Sequence, residues 1–503
     1  MHQLFRRKPI AELVREGDHP NALKRALGAG DLIMLAIGAV IGAGIFGAIG
    51  TAAAGEVLPS GEVVRLGAGP GLIVSFVLLG VVCALAALCY AELASMIPQA
   101  GSAYAYSYAT LGEVVAWLIG WDLILEYAVG NVAVAIVWSG YFMSLLSPFG
   151  IALPGWLTHG YYDVVRSSDP AIHGLLGTAP QIAGIPVLVN LPAFLIVAAI
   201  TWLLLRGVRE SARANNIMVV VKLVVLALFV VAGASRIDMD NYTPFAPNGF
   251  AGIAQGAAIV FFAYIGFDAI STAAEETKDP QRNMPRGILG GLAICTLIYV
   301  IVGAVIVGLV PYEQLRVSDP LAHALEYAGL PVTGWLVAFG AVVSTTAVLL
   351  VFQYGQPRIF FAMARDGLLP KAAAKVHGKY RTPYVTTILT GAAVAVAALV
   401  ADDDATYDLT NIGTLFAFML VCLGVFVLRL KEPERPRPFR VPAFWLVAPA
   451  GVAACAATIY YLPRDAWYRF GIWMGIGLVV YFVYGYRKSH LRHGEPPTPV
   501  QED

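Results

Sequence analysis

Four charged side chains sit deep inside apolar stretches of this 503-residue chain: Asp122 and Glu126 in WDLILEYAVG, Lys222 in MVVVKLVVLALF, and Asp268 in IGFDAIS. A charge taken out of water is expensive unless it faces a partner or a wet cavity, so such residues mark sites by default. Asp122 and Glu126 are four apart and share one helical face. Asp122, beside Trp121, either marks such a site or lies shallow enough to reach water or cap a neighbouring helix, whereas Glu126 is near mid-stretch. Lys222 has no polar neighbour in its own helix. It is either a structural ion pair with Glu126, Asp122 or Asp268, or a group that gains and loses a proton. The second reading is preferred wherever a cavity reaches it.

Glycines supply the second chemical signal. GAVIGAGIFG, residues 38–47, spends four of ten positions on glycine inside an apolar run, although each glycine costs a helix roughly 0.5–1 kcal/mol relative to alanine. Gly38 and Gly42 form a GxxxG pair that would let two helices approach closely. A second signal comes much later, in IVFFAYIGFDAIS (259–271), where Gly266 precedes Asp268. Asp is a favoured N-cap, so a new half-helix is expected to start there. Broken helices expose backbone N–H and C=O groups that attract an anion and a cation respectively. An α-amino acid zwitterion carries both charges a few ångströms apart. A bulky residue in place of Gly44 is expected to abolish transport of such a ligand and leave the fold intact.

The elements that must position these groups follow from composition. Hydrophobic residues make up 58% of the chain, charged ones 13%, and mean hydropathy is +0.71, against about 25% charged in an ordinary soluble domain. A hydrocarbon core about 30 Å thick needs about 20 apolar helical residues. That length predicts an all-α membrane protein with twelve spans, near 31–54, 70–95, 112–137, 187–206, 215–234, 252–274, 287–310, 331–355, 384–401, 408–430, 440–462 and 467–486. The glycine breaks fall in spans 1 and 6, the first members of two five-helix halves (31–234 and 252–430), leaving spans 11 and 12 at 440–486. Five is odd, so the second half must run with inverted topology, a pattern of many secondary transporters.

Orientation follows from Lys and Arg. With a cytosolic N-terminus, 26 of them fall in inside segments and six in outside loops (Arg65, Arg166, Arg236, Arg316, Arg464, Arg469), with Lys222 in span 5. Both termini, an arm over 1–30 and a tail over 487–503, are therefore expected in the cytosol. The opening segment lacks the apolar core of a signal peptide. The five cysteines lie in apolar runs without ligand spacing, and read as small hydrophobes. All eight histidines fall in loops or tails, which argues against metal or nucleophilic catalysis; no enzyme and no metal site are expected. Segments 55–69 and 151–186 read as irregular outer loops, and the inner loop RDGLLPKAAAKVHGKYRTP as a surface segment.

Several long motifs, in order, resemble a known family: GAVIGAGIF, PQAGSAYAYSYATLGE (98–113), FFAYIGFDAISTAAEETKDPQRNMPRGI (261–288), RIFFAMARDGLLPKAAAKV (358–376) and NIGTLFAFMLVCLGVFVLR (411–429). The chain resembles amino acid permeases of the amino acid–polyamine–organocation superfamily, close to bacterial homologues of the cationic amino acid transporters. The resemblance implies the leucine-transporter-type fold of five plus five inverted repeats with discontinuous helices 1 and 6. It implies that backbone N–H groups around Ala43 and Gly44 meet the substrate carboxylate. Carbonyls around Val40, Phe262, Ala263 and Ile265 would meet the amino group, and Ile41 is a further substrate-binding residue. Lys222 matches a lysine that replaces a sodium ion in proton-coupled relatives. Glu126 and Asp268 match acids lining the central cavity. Ala43 departs from the Ser or Thr of many relatives, which removes a hydroxyl from the carboxylate site. Phe352, in VLLVFQYGQ, is expected to face the substrate side chain and to favour small neutral amino acids.

The expectation is therefore alternating-access transport of small L-amino acids, as proton symport through Lys222. The alternatives are obligate exchange, which leaves Lys222 a structural charge, and a sensor that binds without flux. No cofactor beyond protons is expected. The expected partners are the amino acid and the bilayer of the bacterial inner membrane, with no nucleic acid, around a monomer.

Overall fold

The computed structural model describes residues 4–10, 25–98, 102–206, 212–377, 382–493 and 501–502. Arg15, Lys24, Arg209, Lys379 and Arg381 of the inside set lie outside these residues, as do 99–101 of the second motif and parts of both terminal segments.

Each apolar stretch of the sequence carries a helix. Among the described residues, seven helices are long and apolar enough to cross a membrane, over 69–96, 113–149, 216–234, 280–309, 331–365, 403–431 and 464–493. Ala29–Val40 and Gly44–Ala54 form an eighth, bent by 45° at the glycine motif. The stretches expected as spans 4, 6, 9 and 11 carry shorter apolar helices, Leu191–Leu205, Gly249–Tyr264, Tyr384–Val400 and Phe444–Tyr460. This is a multi-pass membrane protein.

Two helix ends run past expectation for identifiable reasons, and two loops are more ordered than expected. The span 3 helix, Glu113–Leu146, passes its expected end at 137 and stops just before Pro148, whose ring cannot continue a helix. The span 8 helix, Pro331–Arg365, overruns its expected end at 355 and stops before Gly367, whose φ of +78° ends it in the left-handed region. Segment 55–69 is not irregular. Gly55–Val57 and Val63–Leu66 pair as an antiparallel hairpin. Segment 151–186 holds short helices, among them Tyr161–Arg166, and a second small hairpin.

The two ends of the bundle are closed differently. At one end, residues of both described terminal stretches converge. Lys8 Nζ lies 3.2 Å from Asp366 Oδ1, which follows the span 8 helix, and Tyr104 donates to the other oxygen of that carboxylate at 2.7 Å. Tyr481 donates to Glu113 at 2.8 Å, and Ser489 donates to the same carboxylate. Arg429 and Arg437 both hold the buried Glu92, at 2.7 and 3.2 Å.

At the other end, six carboxyls share three guanidiniums. Glu56, from the hairpin, lies within 3.2 Å of Arg65, 2.6 Å of Arg166 and 3.7 Å of Arg316. Arg65 holds Asp408 at 2.6 Å, Arg166 holds Asp402 at 3.0 Å, and Arg316 holds Asp404 at 3.2 Å. Asp163 and Asp403 complete the group. Burial alone would raise Glu56, but three arginines outweigh it and lower its pKa. Acids outnumber arginines here, so they cannot all be ionised in a buried setting. Burial, with Asp404 as a like-charged neighbour, outweighs Arg166 and pushes Asp402 up to about 8. Asp402 therefore holds a proton in the folded chain where a free carboxyl, near 3.9, does not. Stability from this group is present at low pH and is lost as pH rises toward about 8. Asp402→Asn cannot titrate, so thermal unfolding scans between about pH 5 and pH 8 should show a flatter alkaline decline than the wild type. An unchanged slope would mean that Asp402 is ionised throughout.

Candidate functional site

Three of the motif's four glycines, Gly42, Gly44 and Gly47, have separate neighbours. A Cβ on Gly42 would meet Val348 of span 8 at 2.7 Å, and one on Gly47 would meet the Tyr407 hydroxyl of span 10 at 2.6 Å. A Cβ on Gly44 would fall inside the Ala263 backbone and 2.6 Å from its Cβ. Spans 1 and 6 thus touch backbone to backbone, and no side chain fits between them. The motif is both a packing device and a break. The helix ends at Val40, Ile41 takes an extended conformation, and a π-helical turn runs over Gly44–Ala48.

Span 6 breaks at the matching place. Gly249–Val260 is α-helical, Phe261–Tyr264 tightens to 3₁₀, and Ile265 is extended. Gly266 then takes φ +112°, and a Cβ there would meet the Ala39 carbonyl of span 1 at 2.9 Å. The chain resumes as a 3₁₀ segment, Asp268–Glu276. Asp268 is not the expected N-cap: Phe267 holds that position with no side-chain cap, and Asp268 sits in the first turn. Its carbonyl accepts from Ser271 at 2.6 Å.

Lys222, fully buried, donates to the carbonyls of Gly38 at 2.8 Å and Ile41 at 2.9 Å. Ser344 of span 8 donates to the same Ile41 carbonyl at 3.1 Å. The lysine therefore ties span 5 to the broken end of the first half-helix, whose last carbonyls have no partner within the helix. Tyr299, on the span 7 helix, reaches both breaks: its hydroxyl is 2.9 Å from the Val40 carbonyl and 2.7 Å from that of Ala263. One hydroxyl proton can serve only one of those oxygens at a time. Asn411 of span 10 donates to the Ala258 and Ile259 carbonyls, both at 2.9 Å, near the end of the first span 6 half.

The sequence singled out neither Tyr299, Ser344 nor Asn411. Each was visible as a polar side chain in an apolar run, but a neutral hydroxyl or amide is a far weaker signal than a charge. The carbonyls of the predicted substrate residues are divided by the structure. Val40 and Ala263 share the Tyr299 hydroxyl, Ile41 serves Lys222 and Ser344, and the Phe262 carbonyl accepts from Ile265 at 3.4 Å.

The acids form a separate layer. Asp122 is fully buried, and among the described residues neither of its oxygens has a hydrogen-bond partner, so it caps no described helix. Gly413 of span 10 lies against it: a Cβ there would be 2.5 Å from Asp122 Oδ1. Glu126 is 3% exposed and has Asp122, Asp268 and Thr414 for electrostatic neighbours. The structure therefore brings Glu126 and Asp268 together.

Phe352 is buried, packs tilted against Tyr127 with ring centroids 5.3 Å apart, and lies against Gly130. It is one turn beyond Val348, the residue packed on Gly42. Phe352→Ala or Phe352→Ser should admit larger amino acids such as leucine or lysine to uptake, at a stability cost of about 3–5 kcal/mol for the alanine. Competition assays that show no gain in larger substrates would remove Phe352 from specificity.

The amino acid permease family model matches residues 27–482. A "Methylthioribose transporter" of Bacillus subtilis (strain 168) is 44% identical over 491 residues, 98% of this chain and 100% of the relative. "Branched-chain amino acid permease BcaP" of the same organism is 44% identical over 489 residues, 97% and 99% of the two chains. "Cationic amino acid transporter 4, vacuolar" of Arabidopsis thaliana is 37% identical over 443 residues, 86% of this chain and 68% of the relative. With a match from residue 27 to residue 482 and relatives aligned nearly end to end, the chain belongs to the amino acid permease family.

Proposed function

We propose that this protein moves small L-amino acids across the bacterial cell membrane by alternating access, as a proton symporter with Lys222 as the coupling group. The observation that carries the reading is the meeting of two broken helices at Gly44 and Ala263, with the Lys222 ammonium on the carbonyls of the first break. The half-helix that opens at Ala43 and Gly44 offers free N–H groups to a carboxylate, and the carbonyls of Val40, Ile41, Phe262, Ala263 and Ile265 offer acceptors to an ammonium. A substrate ammonium, with three protons, would satisfy the two oxygens that Tyr299 serves with one.

Twelve spans in five-plus-five inverted repeats, 31–234 and 252–430, with 440–486 peripheral and both termini cytosolic, form the proposed frame. The matched breaks in spans 1 and 6 support the repeat, and the convergence of both terminal stretches at Glu113 and Asp366 supports an even number of crossings. The positive-inside distribution supports the orientation. Protons are the proposed coupling ion, with no other cofactor.

The names of the two Bacillus relatives differ in ligand, one a neutral sugar thioether and the other branched-chain amino acids. A site that pairs N–H donors with carbonyl acceptors across a zwitterion's span favours the amino acid. Uptake of labelled L-alanine into empty proteoliposomes, with and without an inward proton gradient, tests this. Accumulation that follows the gradient is expected, with competition by amino acids and none by methylthioribose. Competition by methylthioribose alone would overturn the substrate class. Uptake only into preloaded vesicles would replace symport by exchange, and binding without flux would make the protein a sensor.

A further inference from the structure

At the end of the bundle that gathers both terminal stretches, a recess of about 480 Å³ opens beside the first turns of the span 7 helix, Pro280–Leu309. Gln281, Arg282, Arg286 and Leu289 line one side, and Pro438 and Phe439, from the loop after span 10, line the other. Arg282 and Arg286 are four apart and present two guanidiniums on one helical face. Both are exposed. Among the described residues, the Arg286 side chain has no hydrogen bond or ion pair, and the Arg282 side chain has only a 3.9 Å approach to the exposed Asp279. The neighbouring arginines behave otherwise. Arg429 and Arg437 are both committed to the buried Glu92.

The same helix face continues into the membrane. Leu289 is half-buried, and Ile294, Leu297 and Ile301 are 38%, 62% and 40% exposed. From Arg286 to Ile301 the helix climbs about 22 Å at 1.5 Å per residue, longer than half of a hydrocarbon core about 30 Å thick. The surface therefore has two parts: a pair of uncommitted guanidiniums with the fork geometry that phosphate takes, then an apolar stripe one leaflet long. A free phosphate would use only the first part. An anionic phospholipid uses both.

We propose that this recess binds the headgroup of an anionic phospholipid, with the phosphodiester on Arg282 and Arg286 and an acyl chain along Leu289, Ile294, Leu297 and Ile301. Under the orientation proposed above, the site faces the cytosolic leaflet, where anionic lipid and juxtamembrane arginine attract each other. The span 7 helix also touches span 1 at its break. It carries Tyr299, and its Gly287 lies 2.6 Å, by an added Cβ, from Leu32 of the first half-helix.

The test uses the purified full-length protein in detergent, which reads the site whichever leaflet it faces. Native mass spectrometry and thermal unfolding are followed while phosphatidylglycerol, phosphatidylcholine or inorganic phosphate is added. Phosphatidylglycerol should form retained adducts and raise the melting temperature, and the other two should do neither. Arg282→Gln with Arg286→Gln should weaken phosphatidylglycerol binding roughly 30-fold. Each single variant should show part of that loss, and Arg286→Lys should restore most of it. The arginines are exposed, so the variants should keep the wild-type elution profile; if the double variant does not, the single variants carry the same reading. Equal retention of phosphatidylcholine would reduce the site to unspecific lipid contact. Stabilisation by inorganic phosphate alone would make it a soluble-anion site. Undiminished phosphatidylglycerol binding in every arginine variant would overturn the proposal.

Discussion

Gly44→Ala should abolish transport and lower the melting temperature, the first through the substrate site and the second through helix packing. The added methyl has no room, because it falls inside the Ala263 backbone rather than against a side chain that can rotate away. Spans 1 and 6 must then separate at the place where their exposed N–H and C=O groups are proposed to converge on the substrate. Overpacking of this kind costs about 1–3 kcal/mol, and sub-ångström displacement at a binding constellation costs far more in rate than in stability. The sequence alone suggested that a bulky residue here would spare the fold; the backbone contact with Ala263 removes that separation. Gly30→Ala is the control. It lies near the start of the first half of span 1 with nothing within 4 Å of an added Cβ, so it should be neutral or slightly stabilising. Uptake and thermal unfolding of both variants decide the matter. Wild-type transport by Gly44→Ala would refute a substrate site at the spans 1 and 6 contact.

Lys222→Met should eliminate gradient-driven accumulation while retaining a folded protein. Methionine fills comparable space but donates no hydrogen bond, leaving the Gly38 carbonyl without the lysine and the Ile41 carbonyl with Ser344 alone. An unmet buried acceptor costs about 1–3 kcal/mol, so a modest fall in melting temperature is expected beside the transport defect. The informative readout is the split between modes. If Lys222 carries the coupling proton, the variant loses response to a proton gradient but retains exchange between preloaded and external amino acid. If the ammonium is purely structural, both modes fall together in proportion to the lost stability. Unchanged accumulation would exclude Lys222 from coupling altogether.

How much of this was legible beforehand depended on the range of the interactions concerned. GAVIGAGIFG announced a break because a glycine-rich apolar run is a local property, and the 45° bend is found there. Gly266 announced the second break for the same reason, since positive φ is a preference of the residue itself. Asp268 misled because N-cap preference is also local, whereas the surrounding packing set the start of the next turn one residue earlier. Beside Trp121, Asp122 reads locally as a site, a cap or a group near water; its cover is Gly413, almost three hundred residues along the chain.

The sequence by itself determined the membrane class, the positions of the apolar helices, the two breaks and the charged residues that had to be accommodated, because hydropathy, glycine content and charge are properties of short windows. Only the tertiary structure decided the pairings. Lys222 went to the Gly38 and Ile41 carbonyls, Tyr299 to both breaks at once, Phe352 to Tyr127, and the hairpin's Arg65 to Asp408. Those contacts join residues up to some 340 positions apart. They are set by which helices lie side by side and by how closely glycine lets them approach, and no short window of sequence contains either quantity.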